Sequence, residues 1–408
     1  MAARNIFRYK RRSLITASAI AFGVLFSIFM DGFIEGSKVD TIRNLRDYET
    51  GEGKIYPAGY FAERDLVPFS YFIEKADRQA IEKAAGRTET APRVVVSSEL
   101  YFNEDFFAVP GSIRATLFCV DPVRDARVFR TSRMVSDGRW LMSGDTGIVI
   151  GSWLAEDIGA KPGYVVTLEC RGRGGFYQTF DAEILGIVKT DDPLVNRNAV
   201  FIDLAAADSL LALDGAVTEY TIRSNRTDAK LEAEGAAIAA DTAGRAEFHP
   251  WRKVGESTLK LLRGQTGESV VFLFFIFVIA AVGIMNTMLM AVMERKNEIG
   301  MLRALGFGKA AIRDLFLLEG FGIGLIGTAA GLIAGCIANF FMVRYGMDFS
   351  FMLRDLDVGY RLTGVIRATW NFPGIARTVI GALAISTIVA WFPSGRILKR
   401  EVAELLRK

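Results

Sequence analysis

Four stretches of the chain carry no charged residue: Ser13–Met30, Ser269–Met293, Gly320–Val343 and Thr378–Gly395, of 18, 25, 24 and 18 residues. Roughly 20 apolar residues in a helix cross the hydrocarbon core of a bilayer. The pattern therefore predicts transmembrane helices at 13–33, 269–293, 315–343 and 375–395, one before and three after a long polar insert, 34–268. Within the insert the periodicity changes. A charged helix is predicted at Tyr71–Ala85. Alternating or β-branched runs predict strands at Arg93–Phe102, Ile113–Val120, Gly147–Gly151, Val165–Cys170, Thr179–Val188 and Ala199–Asp203. Helical runs return at Ala205–Leu213 and Asp228–Ala240. The expected fold is an α-helical membrane protein with four transmembrane helices (one plus three) and a large α+β extracytoplasmic domain of two subdomains. A β-rich subdomain, 93–213, is inserted into a frame of helices and strands at 54–91 and 218–251.

Composition supports this. The 408 residues are 51% hydrophobic and 23% charged, with a mean hydropathy of +0.26, which excludes a soluble, fibrous or disordered chain. Basic residues set the orientation. Arg4, Arg8, Lys10, Arg11 and Arg12 precede the first run; Ala17–Ser18–Ala19 lies too early for signal cleavage, so the run reads as a retained anchor. Arg295, Lys296, Arg303, Lys309 and Arg313 crowd the loop 294–314, and Arg396, Lys399, Arg400, Arg407 and Lys408 the tail 396–408. Positive charge stays in the cytoplasm. The loop 344–374 dilutes its arginines with Asp348, Asp355 and Asp357 and is expected outside. Both termini are thus expected in the cytoplasm, after an interfacial helix at 1–12, with the large domain periplasmic and the protein multi-pass in the inner (plasma) membrane.

Chemistry is sparse. A net charge of +3 gives no case for nucleic acid. His249 is the single histidine, which rules out the paired-histidine zinc motifs. Cys119, Cys170 and Cys336 are too few for a disulfide framework or a cysteine metal site. They read as small buried thiols, with a Cys119–Cys170 bridge left open. Gly172–Gly175 (GRGG) lacks a following helix start and reads as a turn, and Asp191–Asp192 reads as a solvated loop. Gly308–Lys309 lacks the earlier Gly and the following Ser/Thr of a P-loop. No catalytic or metal site is expected, and no cofactor is expected on this chain.

The sharpest motif follows the second apolar run: AVMERKNEIGMLRALGFGKAAIRDLFLLEG. Glu294, Arg295, Glu298, Ile299, Gly300, Arg303, Ala304 and Gly306 match, in order, the E-R-x-x-E-I-G-x-x-R-A-x-G signature of FtsX/MacB-type ABC transporter permeases, which this chain resembles. Gly300 and Gly306 are expected to interrupt the helix there. Glu319 also matches a family position. The ending WFPSGRILKREVAELLRK is similar to the family's tail at Pro393, Arg396, Glu404, Leu406 and Arg407, and departs from it at Gly395 and Val402. Within the family, MDGFIEGSKVDTIRN, FCVDPVRDARVF and IVIGSWLAEDIGAKPGYVVTL resemble segments of the lipoprotein-releasing LolC/LolE type, with Cys119 and Tyr164 replacing usual residues.

That resemblance implies a permease subunit that extracts lipoproteins from the inner membrane for transfer to the outer membrane. The alternative is a MacB-type permease in efflux of a drug, peptide or toxin from the periplasm. It implies a separate LolD/MacB-like ABC ATPase subunit using ATP and Mg, a second permease copy or paralogue, a lipoprotein cargo and a periplasmic carrier. Glu294, Arg295, Glu298, Gly300, Arg303 and Gly306 would couple to the ATPase. Phe26, Phe33 and Phe274 would contact acyl chains, although Phe residues of the second run equally suit a lipid-facing surface. Gly327, Gly331 and Gly335 recur at i, i+4, i+8, a small-residue face for close helix packing, within the subunit or across a dimer.

Overall fold

The computed structural model describes residues 10–107, 109–224, 228–348 and 365–397. Most of the interfacial helix 1–12, the tail 396–408 and the centre of the loop 344–374 lie outside the described residues. Two compact units are formed, one by 10–40, 261–348 and 365–397, the other by 41–260.

The helical unit is built from α1 (Lys10–Asn44), α2 (Glu256–Glu294), the short α3 (Lys296–Ala304), α4 (Lys309–Tyr345) and α5 (Phe372–Ile397). Among the described residues three helices are long and apolar enough to cross a membrane: Ser13–Thr50, Lys309–Tyr345 and Phe372–Pro393. α2 is continuous over 39 residues and carries the apolar stretch Ala281–Glu294. The unit's core joins Ile20, Val24 and Ile28 of α1 to Met288 of α2, Ile323 of α4 and Ala390 of α5. Hydroxyls pair across these helices: Thr16 donates to Thr287 at 2.8 Å, and Ser27 and Thr378 share a bond of 2.8 Å.

The α+β unit holds ten strands: β1 (Gly53–Pro57), β2 (Glu89–Phe102), β3 (Gly111–Val120), β4 (Val135–Gly138), β5 (Ile148–Gly151), β6 (Val165–Arg171), β7 (Tyr177–Val188), β8 (Ala199–Asp203), β9 (Glu219–Arg223) and β10 (Ala246–Pro250). Their order is β10-β1-β9-β2-β3-β8-β5-β7-β4. β6 bonds to both β2 and β7 and so closes β2-β3-β8-β5-β7-β6 into a ring. Inward residues of the ring, among them Val96, Leu117, Ile150, Leu168, Ile184 and Val200, make the main core. The frame and the β-rich segment 93–213 share this one sheet through β2. Its first residues, Glu89–Arg93, pair with β9 and its later ones, Ser98–Tyr101, with β6.

One expectation changes. Asp192 is not in a solvated loop: it is 7% exposed and caps the helix Pro193–Asn198, accepting from the Leu194 N–H at 2.8 Å. The proline at the first helical position needs no donor there, so Asp-Pro starts the helix efficiently. Asp121–Pro122 does the same for Pro122–Val128. The fourth residue of that helix, Asp125, accepts from Arg93 at 2.7 Å, with both side chains fully enclosed and the guanidinium 3.5 Å from the centre of the Phe129 ring. The D-P-x-x-D segment is therefore a scaffold element. Gly172–Gly175 is the β6–β7 turn, closed by Gly172 N–H donating to Phe176 O at 2.8 Å. Cys119 and Cys170 are buried in the main core and unbridged. Burial pushes the Cys119 thiol well above its ordinary pKa and the Cys170 thiol up to about 12.

Candidate functional site

The charged motif between α2 and α4 is a helix, a break and a helix. The break falls at Arg295, whose φ of −99° and ψ of 16° leave the helical region, and α3 resumes at Lys296. Gly300, expected to interrupt the helix, lies inside α3 and is buried. The second stop is where it was expected. The Gly306 N–H donates to Arg303 O at 3.1 Å and the Phe307 N–H to Leu302 O at 3.0 Å, with Gly306 at φ +93°. This paired closure requires a left-handed residue after the cap, a conformation that glycine alone adopts without strain.

Arg295 is 6% exposed and donates to the Glu319 carboxylate at 3.1 Å; Glu319 is 5% exposed. A second carboxylate, Glu298, stands 3.9 Å away and is exposed. The buried pair links the end of α2 to α4 across 24 residues of sequence. Neither charge is tolerable there without the other. Beside it Val292, Ile299, Ile312 and Phe316 close a small apolar cluster with Leu302. Arg295 thus belongs to the interior, while Glu294 and Glu298 are exposed and Arg303 is half-buried.

One feature of this element escapes a reading by charge. Met301, Leu305 and Phe307 are 58%, 72% and 53% exposed. Apolar side chains flanked by charge are the composition of a docking surface. The i, i+4 spacing of Met301 and Leu305, off the buried face of α3, was the available signal.

The three glycines of α4 face α1. A Cβ on Gly327 would lie 2.7 Å from the Ala17 carbonyl, one on Gly331 2.8 Å from Val24 Cβ, and one on Gly335 3.2 Å from Ile28 Cβ. The small-residue face is covered within the subunit, which takes it out of any dimer contact. Gly320 and Gly324 turn to α5, against Ala390 and Ser386. At the far end of α1, Asp31 accepts from Asn371 Nδ2 at 2.8 Å, and Gly32 O accepts from the Thr369 N–H at 3.0 Å.

The acyl-contact candidates sit differently. Phe26 is half-buried and stacks on Phe22 of its own helix, with centroids 6.3 Å apart. Phe33 is also half-buried. Phe274 is 62% exposed and lies edge to face with Phe275. No group of His, Cys, Asp or Glu able to hold a metal ion occurs among the described residues.

Comparisons with known proteins agree with this architecture. Residues 13–241 match the MacB-like periplasmic core domain and residues 270–402 the FtsX-like permease C-terminal domain. The chain is 21% identical over 421 residues to an uncharacterized ABC transporter permease of Methanocaldococcus jannaschii, covering 99% of this chain and 96% of that one. It is 22% identical over 330 residues to the lipoprotein-releasing system transmembrane protein LolC of Neisseria meningitidis serogroup B, covering 78% of this chain and 80% of that one. It is 23% identical over 363 residues to the macrolide export ATP-binding/permease protein MacB of Pasteurella multocida, covering 86% of this chain but 54% of that one. With family domains matched on both the α+β insert and the helices that carry the charged motif, the chain belongs to the FtsX/MacB-type ABC transporter permeases.

Proposed function

We propose that this permease extracts lipoproteins from the inner membrane for transfer to the outer membrane, driven by a separate LolD/MacB-like ATPase that binds ATP and Mg. The observation that carries the reading is the likeness to LolC over 80% of that protein's length. The proposed frame has four spans and both termini in the cytoplasm, with a second permease copy or paralogue completing the transporter. A periplasmic carrier receives the cargo. The motif from Glu294 to Gly306 meets the ATPase through Glu298 and Arg303 together with Met301, Leu305 and Phe307, and Arg295 holds the element in place from inside. The match of 13–241 to the MacB-like core favours a second reading, efflux of a periplasmic substrate.

Cargo capture separates the two. Photocrosslinkers at Phe26, Phe33 and Phe274 should trap a lipid-anchored protein, and depletion of the permease should leave lipoproteins in the inner membrane. Capture of small amphiphiles or soluble peptides alone, with lipoprotein sorting intact, would establish efflux instead. Docking has its own readout. Leu305→Asp, or Glu298→Ala with Arg303→Ala, should reduce co-purification of the ATPase about tenfold or more, since charge complementarity and apolar anchors at an interface are each worth kilocalories. Wild-type recovery in both variants would reduce the motif to ordinary juxtamembrane charge.

A further inference from the structure

The α+β unit contains a cavity of about 440 Å³, a size typical of small-molecule sites. Its wall is drawn from distant parts of the chain. Tyr48 and Glu49 come from the π-helical turn Leu45–Thr50, Tyr56 from β1, Tyr60 from the following short helix, and Asp192 from the cap described above.

The wall carries three cations, Lys54, Arg64 and Arg93, and three carboxylates, Glu49, Asp192 and Glu219, and they are unevenly paired. Lys54 is committed to Glu219 at 2.7 Å, both buried. Arg93 is held by Asp125 and lies over Phe129. Arg64 donates to the Phe61 carbonyl and stands 4.0 Å from the centre of its ring. Among the described residues no cation pairs with Asp192, whose carboxylate meets only the backbone N–H groups of Leu194 and Val195. Glu49 lies well beyond the apolar run of α1 and opens into the cavity, with Lys54 and Arg64 acting on it at a distance and Asp192 and Glu219 opposing them. Burial is the largest influence on the Asp192 carboxyl and raises its pKa. Glu49, exposed, and Asp192, buried, thus share an aromatic wall without an ion pair among the described residues.

We propose that this cavity binds an organic cation, an ammonium with an apolar body. The carboxylates of Glu49 and Asp192 supply the counter-charge. Tyr48, Tyr56 and Tyr60 supply aromatic surface, which attracts a desolvated ammonium and accepts its hydrocarbon part. A bare metal ion is a poorer fit, because the wall offers it two carboxylates separated among rings. Two cations of the wall oppose it, Arg64 and Arg93; Arg93 Nη2 has no hydrogen-bond partner, as Asp125 Oδ2 has none, and an anionic ligand would use it.

Three probes of one shape decide the charge: phenylbutylamine, phenylbutanol and phenylbutyrate, titrated calorimetrically into the purified full-length chain at neutral pH. The amine should bind about tenfold or more tightly than the alcohol, the worth of one moderate cation–π or charge contact, and the butyrate should give no heat of binding. Glu49→Gln and Asp192→Asn should each remove most of the amine's advantage and leave the alcohol unchanged. Asn caps a helix as well as Asp does, so the second variant keeps its fold if the first does not. Equal affinity for amine and alcohol, preference for the butyrate, an unchanged amine preference in both variants, or no binding by any probe would each overturn the proposal. The site does not depend on which cargo is carried, and the crosslinking above reads other residues, so either can fail alone.

Discussion

Glu319→Ala should destabilise the helical unit by about 3–5 kcal/mol, the usual cost of stranding one member of a buried ion pair, and should abolish coupled ATPase turnover. The reason lies in what remains. Arg295 is 6% exposed and its guanidinium has Glu319 as its close buried partner, with exposed Glu298 at 3.9 Å. Removing the Glu319 carboxylate leaves a cation that must either drag water inward or swing out, and swinging out opens the junction of α2 and α4. The small cluster of Val292, Ile299, Ile312 and Phe316 would open with it. Thermal unfolding of the purified permease reports the stability, and nucleotide turnover with the ATPase subunit reports the coupling. Arg295→Met together with Glu319→Leu separates the two. An apolar pair of similar volume commonly replaces a buried ion pair without loss of stability. The double variant should therefore recover the unfolding temperature. Recovered turnover as well would mean that the pair only fastens α3 in place; turnover still lost would mean that the charge itself takes part in transmission. A Glu319→Ala protein with wild-type stability would contradict the buried-pair account.

What was legible in the sequence depended on range. The four uncharged runs all fall within helices, yet each helix outruns its run. α1 continues past Met30 through Asp31, Glu35, Lys38 and Asp40 to Asn44, because backbone hydrogen bonding along a helix does not depend on whether its side chains meet lipid or water. Hydropathy marks the apolar window and is blind to the rest. The long strands β2 and β7 were visible through their β-branched residues. β1, β9 and β10 were expected only as part of the frame and not placed one by one: five residues each, they bury Lys54, Glu219 and His249. Their pairing is long-range and their polar residues break the alternation a reader searches for. The same limit applies to the site. Arg295 and Glu319 each looked like charge at a membrane edge, and only the return of α4 alongside α2 makes them a pair. Asp192 looked solvated for the same reason: its cap was readable from Asp-Pro, its burial was not. The glycine repeat of α4 showed its face in sequence but not its partner, α1.

That partner makes a graded prediction. Gly331→Ala should lower stability by about 1–3 kcal/mol through overpacking, although alanine is the better helix former. A Cβ at 331 would lie 2.8 Å from Val24 Cβ and 2.9 Å from Ala21 Cα. The second of these is backbone, so relief requires α1 to move as a whole. Gly335→Ala should cost less, because its nearest neighbours stand at 3.2 Å and include the side chain of Ile28, which has rotamers to spend. Gly283→Ala is the opposite case. Nothing lies within 4 Å of that position, so the substitution should be neutral or stabilise α2 by up to about 1 kcal/mol through helix propensity. The order matters more than any one value. Packing within the subunit requires 331 to be worse than 335 and 335 worse than 283, all read from the unfolding of the isolated permease. A glycine face spent on a dimer would behave otherwise: Gly331→Ala would dissociate the complex, measured by its size in detergent, while the unfolding temperature of the dissociated chain stayed at its wild-type value.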